Sequence, residues 1–266
     1  MKILGLLLRL ARRLLSAPLA SIRVALKMCG FFCELRRFKG LGGFNGFLEG
    51  ALFPCVYDRS DKAGVAVGDY FNQDLFVAQR IYENKPIRHI DVGSRVDGFV
   101  AHVAAYREIE VVDIRPLSSS VKNIKFLQCD FMGSIPEELL GAFDSVSSLH
   151  AIEHFGLGRY GDKLDPDGWR KGIDNLGRLL KPGGMLYFSV PIGPMRIEFN
   201  AHRVFHVQFL LDYLGRTYDV VSFSYVDDAG AMHSNVVIED NQGLIDDFGC
   251  TYGCGIFELI KRPVYE

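Results

Sequence analysis

The sequence lacks the features of an exported or membrane-spanning chain. In the first forty residues no window of bilayer-crossing length is free of charge. Arg9, Arg12 and Arg13 interrupt the apolar stretch that a signal peptide needs. Tight zinc-knuckle spacing is missing as well. The six cysteines are Cys29, Cys33, Cys55, Cys129, Cys250 and Cys254, the two closest pairs have three residues between them, and no histidine completes a familiar ligand set. Reduced thiols in a cytosolic chain are therefore expected, with no metal site. Nor does a G-x-G-x-x-G fingerprint follow the first predicted strand of the α/β region, which weakens a dinucleotide reading.

What is present is a core-forming composition, 48% hydrophobic and 23% charged over 266 residues. That excludes disorder and suits one α/β domain with a modest extension. The formal charge of −2 gives no reason to expect nucleic acid, but it hides an asymmetry. Residues 1–39 carry nine Lys or Arg and one acid, Glu34, whereas the rest carries 21 bases against 31 acids. Ile3, Leu7, Leu10 and Leu14 recur at helical spacing, Pro18 is expected to break the pattern, and Ile22, Ala25, Met28, Cys29, Phe32 and Leu35 resume it. This basic amphipathic extension, residues 1–50, suits peripheral contact with an anionic membrane or packing on the domain. Residues 51–266 form the second predicted domain. At its start Asn72 is a candidate helix cap, with Leu75, Ala78 and Ile81 facing inward and Tyr70, Phe71 and Asp74 near the helix start.

From Ile87 strands and helices alternate, which predicts a mostly parallel sheet covered on both faces. IRHID, EVVDI, IKFLQCD, FDSVSSL and MLYFSV read as strands, and two more cover Val220–Tyr225 and Gly255–Ile260. GFVAHVAAY reads as a helix. Asp165 is expected to cap a longer helix with Pro166 at its first position and Trp169, Ile173, Leu176 and Leu180 inward. Each strand enters as apolar sequence and leaves on a polar residue: Asp91 and Gly93, Asp113, Asp130, then His150 to His154. In such sheets ligands bind beyond the strand ends where strand order reverses. Asp113 follows Asp91 by 22 residues, the separation of a carboxylate that accepts ribose hydroxyls. Asp97, near the next helix start, would oppose a pyrophosphate, and Arg95 would offset it in part.

HIDVGSRVDGF, VVDIRPL, LQCDF, FDSVSSLHAIEHFGLGRYGD and LKPGGMLYFSVP together resemble class I S-adenosylmethionine-dependent methyltransferases. More narrowly, DVGSR, HAIEHFGLGRYGD and HRVF resemble a methyltransferase-like group of unknown function from nematodes and bacteria. The resemblance spans roughly residues 65–262. It implies a Rossmann-like, seven-stranded sheet with the last strand antiparallel. It further implies S-adenosylmethionine as cofactor, with Asp91, Gly93 and Ser94 beneath its methionine end. Asp113 with Ile114 would hold the ribose, Asp130 with Phe131 would address adenine, and Leu149 and His150 would border the methyl donor. The chain departs from the common class motif at Arg95 and Asp97, where glycines are usual.

An amine or oxygen acceptor benefits from a general base, for which His150, Glu153, His154 and the later His202 are candidates. Structural roles compete for Glu153, for His154 and for His202–Arg203, which would latch a loop. Arg203 is alternatively a contact for an anionic acceptor. The expected acceptor is a small molecule or glycan, and the group resemblance favours a saccharide. The competing readings are an NAD- or nucleotide-sugar-binding Rossmann enzyme and a non-catalytic scaffold of the same fold.

Overall fold

The computed structural model describes residues 2–64, 66–238 and 242–263, with the side chains of 2–20 and Gln242 outside that set. The chain divides into two compact units, Met1–Val65 and Ala66–Glu266. In the first, α1 (Lys2–Gly40) is one helix of 39 residues, so the expected break at Pro18 does not occur. A proline removes one helical hydrogen bond, and the leucines and alanines around it are strong helix formers that carry the helix through. The apolar positions proposed between Ile3 and Leu14 have side chains outside the described set. Arg37 and Lys39 occupy the last turn, where cations complement the helix dipole. Lys39 pairs with Glu49 at 2.5 Å and Arg59 with Glu34 at 2.7 Å, both exposed and worth little individually. Among the described residues no helix is long and apolar enough to cross a membrane.

The second unit opens with α2 (Asp69–Asn84), which stops at Lys85 in the left-handed region. Its buried face is Gln73, Asp74, Val77, Ala78 and Ile81. Leu75, expected inside, is 39% exposed, because the 73–77–81 row sets the inner face and Leu75 falls outside it. Asn72 does not cap the helix, which begins three residues earlier. Its side chain instead donates to the carbonyls of Gly68 and Gly230, tying the helix start to a distant turn.

The main sheet contains β1 (His89–Val92), β2 (Ile109–Asp113), β3 (Ile124–Gln128), β4 (Phe143–Leu149) and β5 (Leu180–Ile192). A separate hairpin pairs β6 (Arg196–Glu198) with β7 (His202–Val204). β8 (Tyr218–Val226), β9 (Met232–His233) and β10 (Gly253–Lys261) complete the main sheet, in the order β3-β2-β1-β4-β5-β10-β8-β9. β1 to β5 are parallel, and β10 runs antiparallel between β5 and β8. The expected seven strands are thus extended by one two-residue edge strand, β9. Strand order reverses between β1 and β4.

Both faces are covered. On one, α4 (Gly168–Leu179) and α5 (Val207–Leu214) place Trp169, Ile173, Leu176, Leu210 and Leu214 against Phe188, Phe223 and Phe257. On the other, Val77 and Ile81 meet Phe99, Val103, Val111 and Ile256. The predicted helix after β1 is short: α3 (Ala101–Ala104) follows one wide helical turn over Val96–Val100 that is non-helical at Gly98. A Cβ on Gly98 would lie 2.6 Å from the Asp74 carboxylate, so α2 presses directly on this turn. α4 starts at Gly168, two residues later than a helix with Pro166 at its first position. Asp165 instead receives the Asp167 amide at 2.9 Å and pairs with Lys171, closing a turn before the helix.

That turn packs tightly on the loop after β4. Gly156 has φ +78, and a Cβ there would fall 1.9 Å from the Asp165 carbonyl oxygen. Gly141, with φ +59, faces open space. Gly156→Ala is expected to cost about 3 kcal/mol or more of stability, from backbone strain plus the clash, against about 1 kcal/mol for Gly141→Ala. Urea unfolding of both variants checks this, and equal losses would show that the 156–165 contact is not a constraint.

Candidate functional site

The carboxyl ends of β1 to β4 open on a cavity of about 520 Å³. Of the residues expected there, Gly93, Ser94, Asp113, Ile114, Asp130, Phe131, His150 and His154 line it. Asp91, Leu149, Glu153 and His202 do not line it, and each has a visible reason.

Asp91 is fully buried at the end of β1. It accepts hydrogen bonds from the Ser94 amide (3.0 Å), the Ser94 hydroxyl (2.6 Å) and the Ser147 hydroxyl of β4 (2.6 Å). Burial pushes its pKa up to about 7 against the pull of those donors. The Ser94 hydroxyl in turn accepts the Leu149 amide at 3.0 Å. Asp91 therefore fixes the turn that forms the cavity wall without reaching the cavity. Gly93 occupies φ +77, and a Cβ on it would approach Ala151 to 2.9 Å. After the turn, Arg95 grips Asp97 in a two-pronged, exposed ion pair of 2.8 and 3.1 Å.

Asp113 stands at the end of β2 with its side chain 9% exposed. Arg115 supplies its amide (2.8 Å) and Nε (2.9 Å) to Oδ1, and Nη2 (2.6 Å) to Oδ2. Sequence reasoning missed this partner, although the D-I-R spacing after a strand was its signal. Across the mouth, Tyr160 places its ring 4.4 Å from the Arg115 guanidinium and 5.1 Å from that of Arg159. Asp130 is exposed and accepts the Met132 amide at 3.0 Å. Phe131 closes the floor and belongs to the core.

Beyond β4 the chain makes a tight polar turn. His150 is non-glycine at φ +49 and buried, with its ring 5.1 Å from that of Tyr70. Its Nδ1 lies 3.1 Å from Glu153 Oε1, and its Nε2 has no hydrogen-bond partner. The same Oε1 sits 3.6 Å from His154 Nε2, while His154 Nδ1 donates to the Ala201 carbonyl at 2.6 Å. One buried carboxylate thus stands between two imidazoles. Burial opposes charge on His150, but the Cys254 sulfur and the Glu153 carboxylate outweigh it and raise the pKa well above the ordinary value. Burial dominates at His154 and lowers its pKa. Glu153 is lowered because the neighbouring His150 outweighs its own burial.

This turn is held from outside the cavity. Arg203, only 4% exposed, donates to the carbonyls of Glu153 (3.3 Å), Phe155 (2.6 Å) and Pro166 (3.3 Å). Arg203 thus latches the loop through Nη1 and Nη2, and it does not line the cavity where an anionic acceptor would meet it. His202, its neighbour on β7, stacks near Tyr252 at 5.0 Å and faces Glu198 at 3.4 Å, outside the cavity. Asp162 collects the amides of Gly156, Gly158 and Tyr160 at 2.8–3.1 Å and rigidifies the loop that carries Arg159 and Tyr160. The glycines of that loop, at 156, 158 and 161, have dinucleotide-fingerprint spacing. All three adopt positive φ in successive turns and open no helix, so the phosphate-binding geometry is absent there. Among the described residues no cluster of three or more His, Cys, Asp or Glu is placed to hold a metal ion, and all six cysteines are free.

Residues 106–237 match the model of a family described as "Caenorhabditis protein of unknown function, DUF268". No curated protein matches the sequence. Among solved structures the chain is similar to 1,6-didemethyltoxoflavin-N1-methyltransferase of Burkholderia thailandensis, solved with 1,6-didemethyltoxoflavin and S-adenosylhomocysteine. The identity is 12% and the TM-score 0.51, over 88% of this chain and 90% of that one. N-methyltransferase NodS of Bradyrhizobium japonicum, in complex with S-adenosylhomocysteine, is 14% identical with a TM-score of 0.47, covering 79% and 92% of the two chains. An S-adenosylmethionine-dependent methyltransferase of Clostridium acetobutylicum is 12% identical with a TM-score of 0.49, covering 78% and 97%. Of these three, the Burkholderia thailandensis match carries the comparison, and it agrees with the strand order. This chain has the class I S-adenosylmethionine-dependent methyltransferase fold.

Proposed function

We propose that the chain transfers a methyl group from S-adenosylmethionine to a small-molecule acceptor. The observation that carries this is the convergence of Gly93, Asp113 and Asp130, from the ends of three adjacent strands, on one cavity beside the point of strand reversal. The residues fit the cofactor. Gly93 leaves the wall free of a side chain, and Asp113 offers a carboxylate to a pair of hydroxyls. In this reading Gly93 and Ser94 lie beside the methionine end, Asp113 and Ile114 hold the ribose, and Asp130 and Phe131 border the adenine. Asp91 and Leu149 position these groups from behind. Bound there, the cofactor supplies an electrophilic methyl carbon, and the protein orients the acceptor and takes its proton.

The two histidines divide that work. His154 has Nδ1 committed as a donor to Ala201, so its neutral form carries a lone pair on Nε2 and serves as the base. His150, its side chain 3% exposed and its Nδ1 against Glu153, holds that carboxylate in place behind the base. A saccharide acceptor, the finer expectation, draws its support from the resemblance alone. NAD is opposed by Asp97 at the helical turn, although the Arg95 pair offsets part of that charge.

Calorimetry with S-adenosylhomocysteine and NAD side by side tests the cofactor class. The first should bind more tightly. Tight NAD binding with no response to S-adenosylhomocysteine would sink the proposal.

Asp113 should carry the largest single effect on that affinity. Asp113→Ala and Asp113→Asn are expected to weaken S-adenosylhomocysteine binding by about ten- to a hundredfold, equivalent to about 1.4–2.8 kcal/mol, with little change in melting. Unchanged affinity in folded Asp113→Ala means the ribose lies elsewhere.

The histidine assignment is testable without an acceptor. In an NMR titration His150 should titrate above the ordinary histidine value of about 6.5 and His154 below it. Glu153→Gln removes the carboxylate that favours the charged form of each ring, so both titrations should move to lower pH. Two unmoved curves in that variant would remove Glu153 from the pair.

A further inference from the structure

Most of the charged groups lining the cavity have a partner in a neighbouring side chain or the backbone. Arg95 is paired with Asp97 at 2.8 Å and Arg115 with Asp113 at 2.6 Å. Asp162 is consumed by three backbone amides. Arg159 is different. Its Nη1 reaches the Ala201 carbonyl at 3.1 Å and lies 3.4 Å from His154 Nδ1, and among the described residues no carboxylate pairs with it. The guanidinium therefore shares one carbonyl with an imidazole that also donates to it. Two donors crowd one acceptor, and the guanidinium opposes a positive charge on the imidazole. Arg159 is one of the influences that lower the His154 pKa.

Arg159 is exposed at the mouth, where a ring and a carbonyl hold it. Tyr160 lies against both Arg115 and Arg159 and fixes the two cations on one aromatic platform. The loop beneath them is pinned by Asp162, and Arg159 lines the same cavity as His154. A planar guanidinium without a carboxylate, next to the proposed base, is suited to two-pronged recognition of a carboxylate or phosphate.

Resting on the methyltransferase reading, we infer that the acceptor carries an anionic group, and that Arg159 binds it while His154 faces the atom to be methylated. Arg159 is thus a specificity determinant, taking the role that the sequence had offered to Arg203. Arg115 lies against the same Tyr160 ring at 4.4 Å and is already paired with Asp113.

The test uses the full chain saturated with S-adenosylhomocysteine, titrated calorimetrically with glucuronate, glucose 6-phosphate and neutral glucose. At least one charged probe should bind tenfold or more tightly than glucose, and the stronger of the two tells carboxylate from phosphate. Arg159→Gln should reduce that preference to twofold or less, and Arg159→Lys should restore only part of it, because an ammonium keeps the charge but not the fork, with folding of each variant verified by melting. Equal binding of charged and neutral probes, absence of saturable anion binding, or a preference undiminished in folded Arg159→Gln overturns the inference. A chain that fails to bind S-adenosylhomocysteine at all overturns the methyltransferase reading and this inference with it.

Discussion

The geometry of the cavity depends on one buried carboxylate. Asp91 is fully buried and, among the described residues, pairs with no cation, only with the Ser94 amide and two serine hydroxyls drawn from the turn after β1 and from β4. Burying a carboxyl group is costly unless its lone pairs are used, and here three donors use them. Those donors lie on the two strands between which the sheet reverses, so the bonds that stabilise Asp91 also hold the reversal together. Gly93 can adopt its left-handed conformation against Ala151 because both sides of the contact are anchored. The same serine that serves Asp91 receives the Leu149 amide, which carries the constraint onward to His150.

From His150 the constraint passes to a second set of bonds, all directed at the backbone. Arg203 gathers three carbonyls and Asp162 gathers three amides, so that one loop is clamped by a buried cation on one side and a carboxylate on the other. Neither clamp spends its charge on a ligand. The polar side chains of the loop, His154, Arg159 and Tyr160, are then presented by a rigid support, which is what positioning a reactive group demands. His150 in a left-handed conformation is a further sign of an over-determined turn.

Much of this architecture was legible in the sequence because it depends on periodicity. The strands are short apolar runs, and the polar residue that ends each run marks the ligand edge, so Asp113, Asp130 and His150 were located by counting alone. Residues whose role depends on a partner distant in sequence were less accessible. Asp91 looked like a cofactor contact because nothing in D-V-G-S reveals that Ser147 closes over it. The sequence leaves Arg203 open between a loop latch and an anion contact, because its three carbonyl partners leave no trace in residue type. His202 is a candidate because it follows the fifth strand and its loop, yet β7 turns it toward Tyr252. Helix starts failed for a related reason: Asn72 and Asp165 are good caps by type, but the Asn72 side chain is spent on Gly68 and Gly230, and the Asp165 carboxylate on the Asp167 amide and Lys171. The break expected at Pro18 failed because local propensity on both sides exceeded the cost of one missing donor.

The position of β10 has a consequence for how the molecule is assembled. Last of the strands in chain order, it lies between β5 and β8 and pairs antiparallel with both. Until it is synthesised, β8 has no route into the sheet, and the aromatic layer of Phe188, Phe223 and Phe257 lacks its central ring. The first five strands can associate in parallel as they emerge, but the sheet closes only when the final strand pairs with β5 along one edge and with β8 along the other. Closure of this kind involves contacts of high sequence separation and is intrinsically slow. During synthesis the nascent chain therefore exposes an unpaired edge of β5, a template for pairing with other chains. Loss of the final strand would leave the sheet in two pieces rather than shorten it by one.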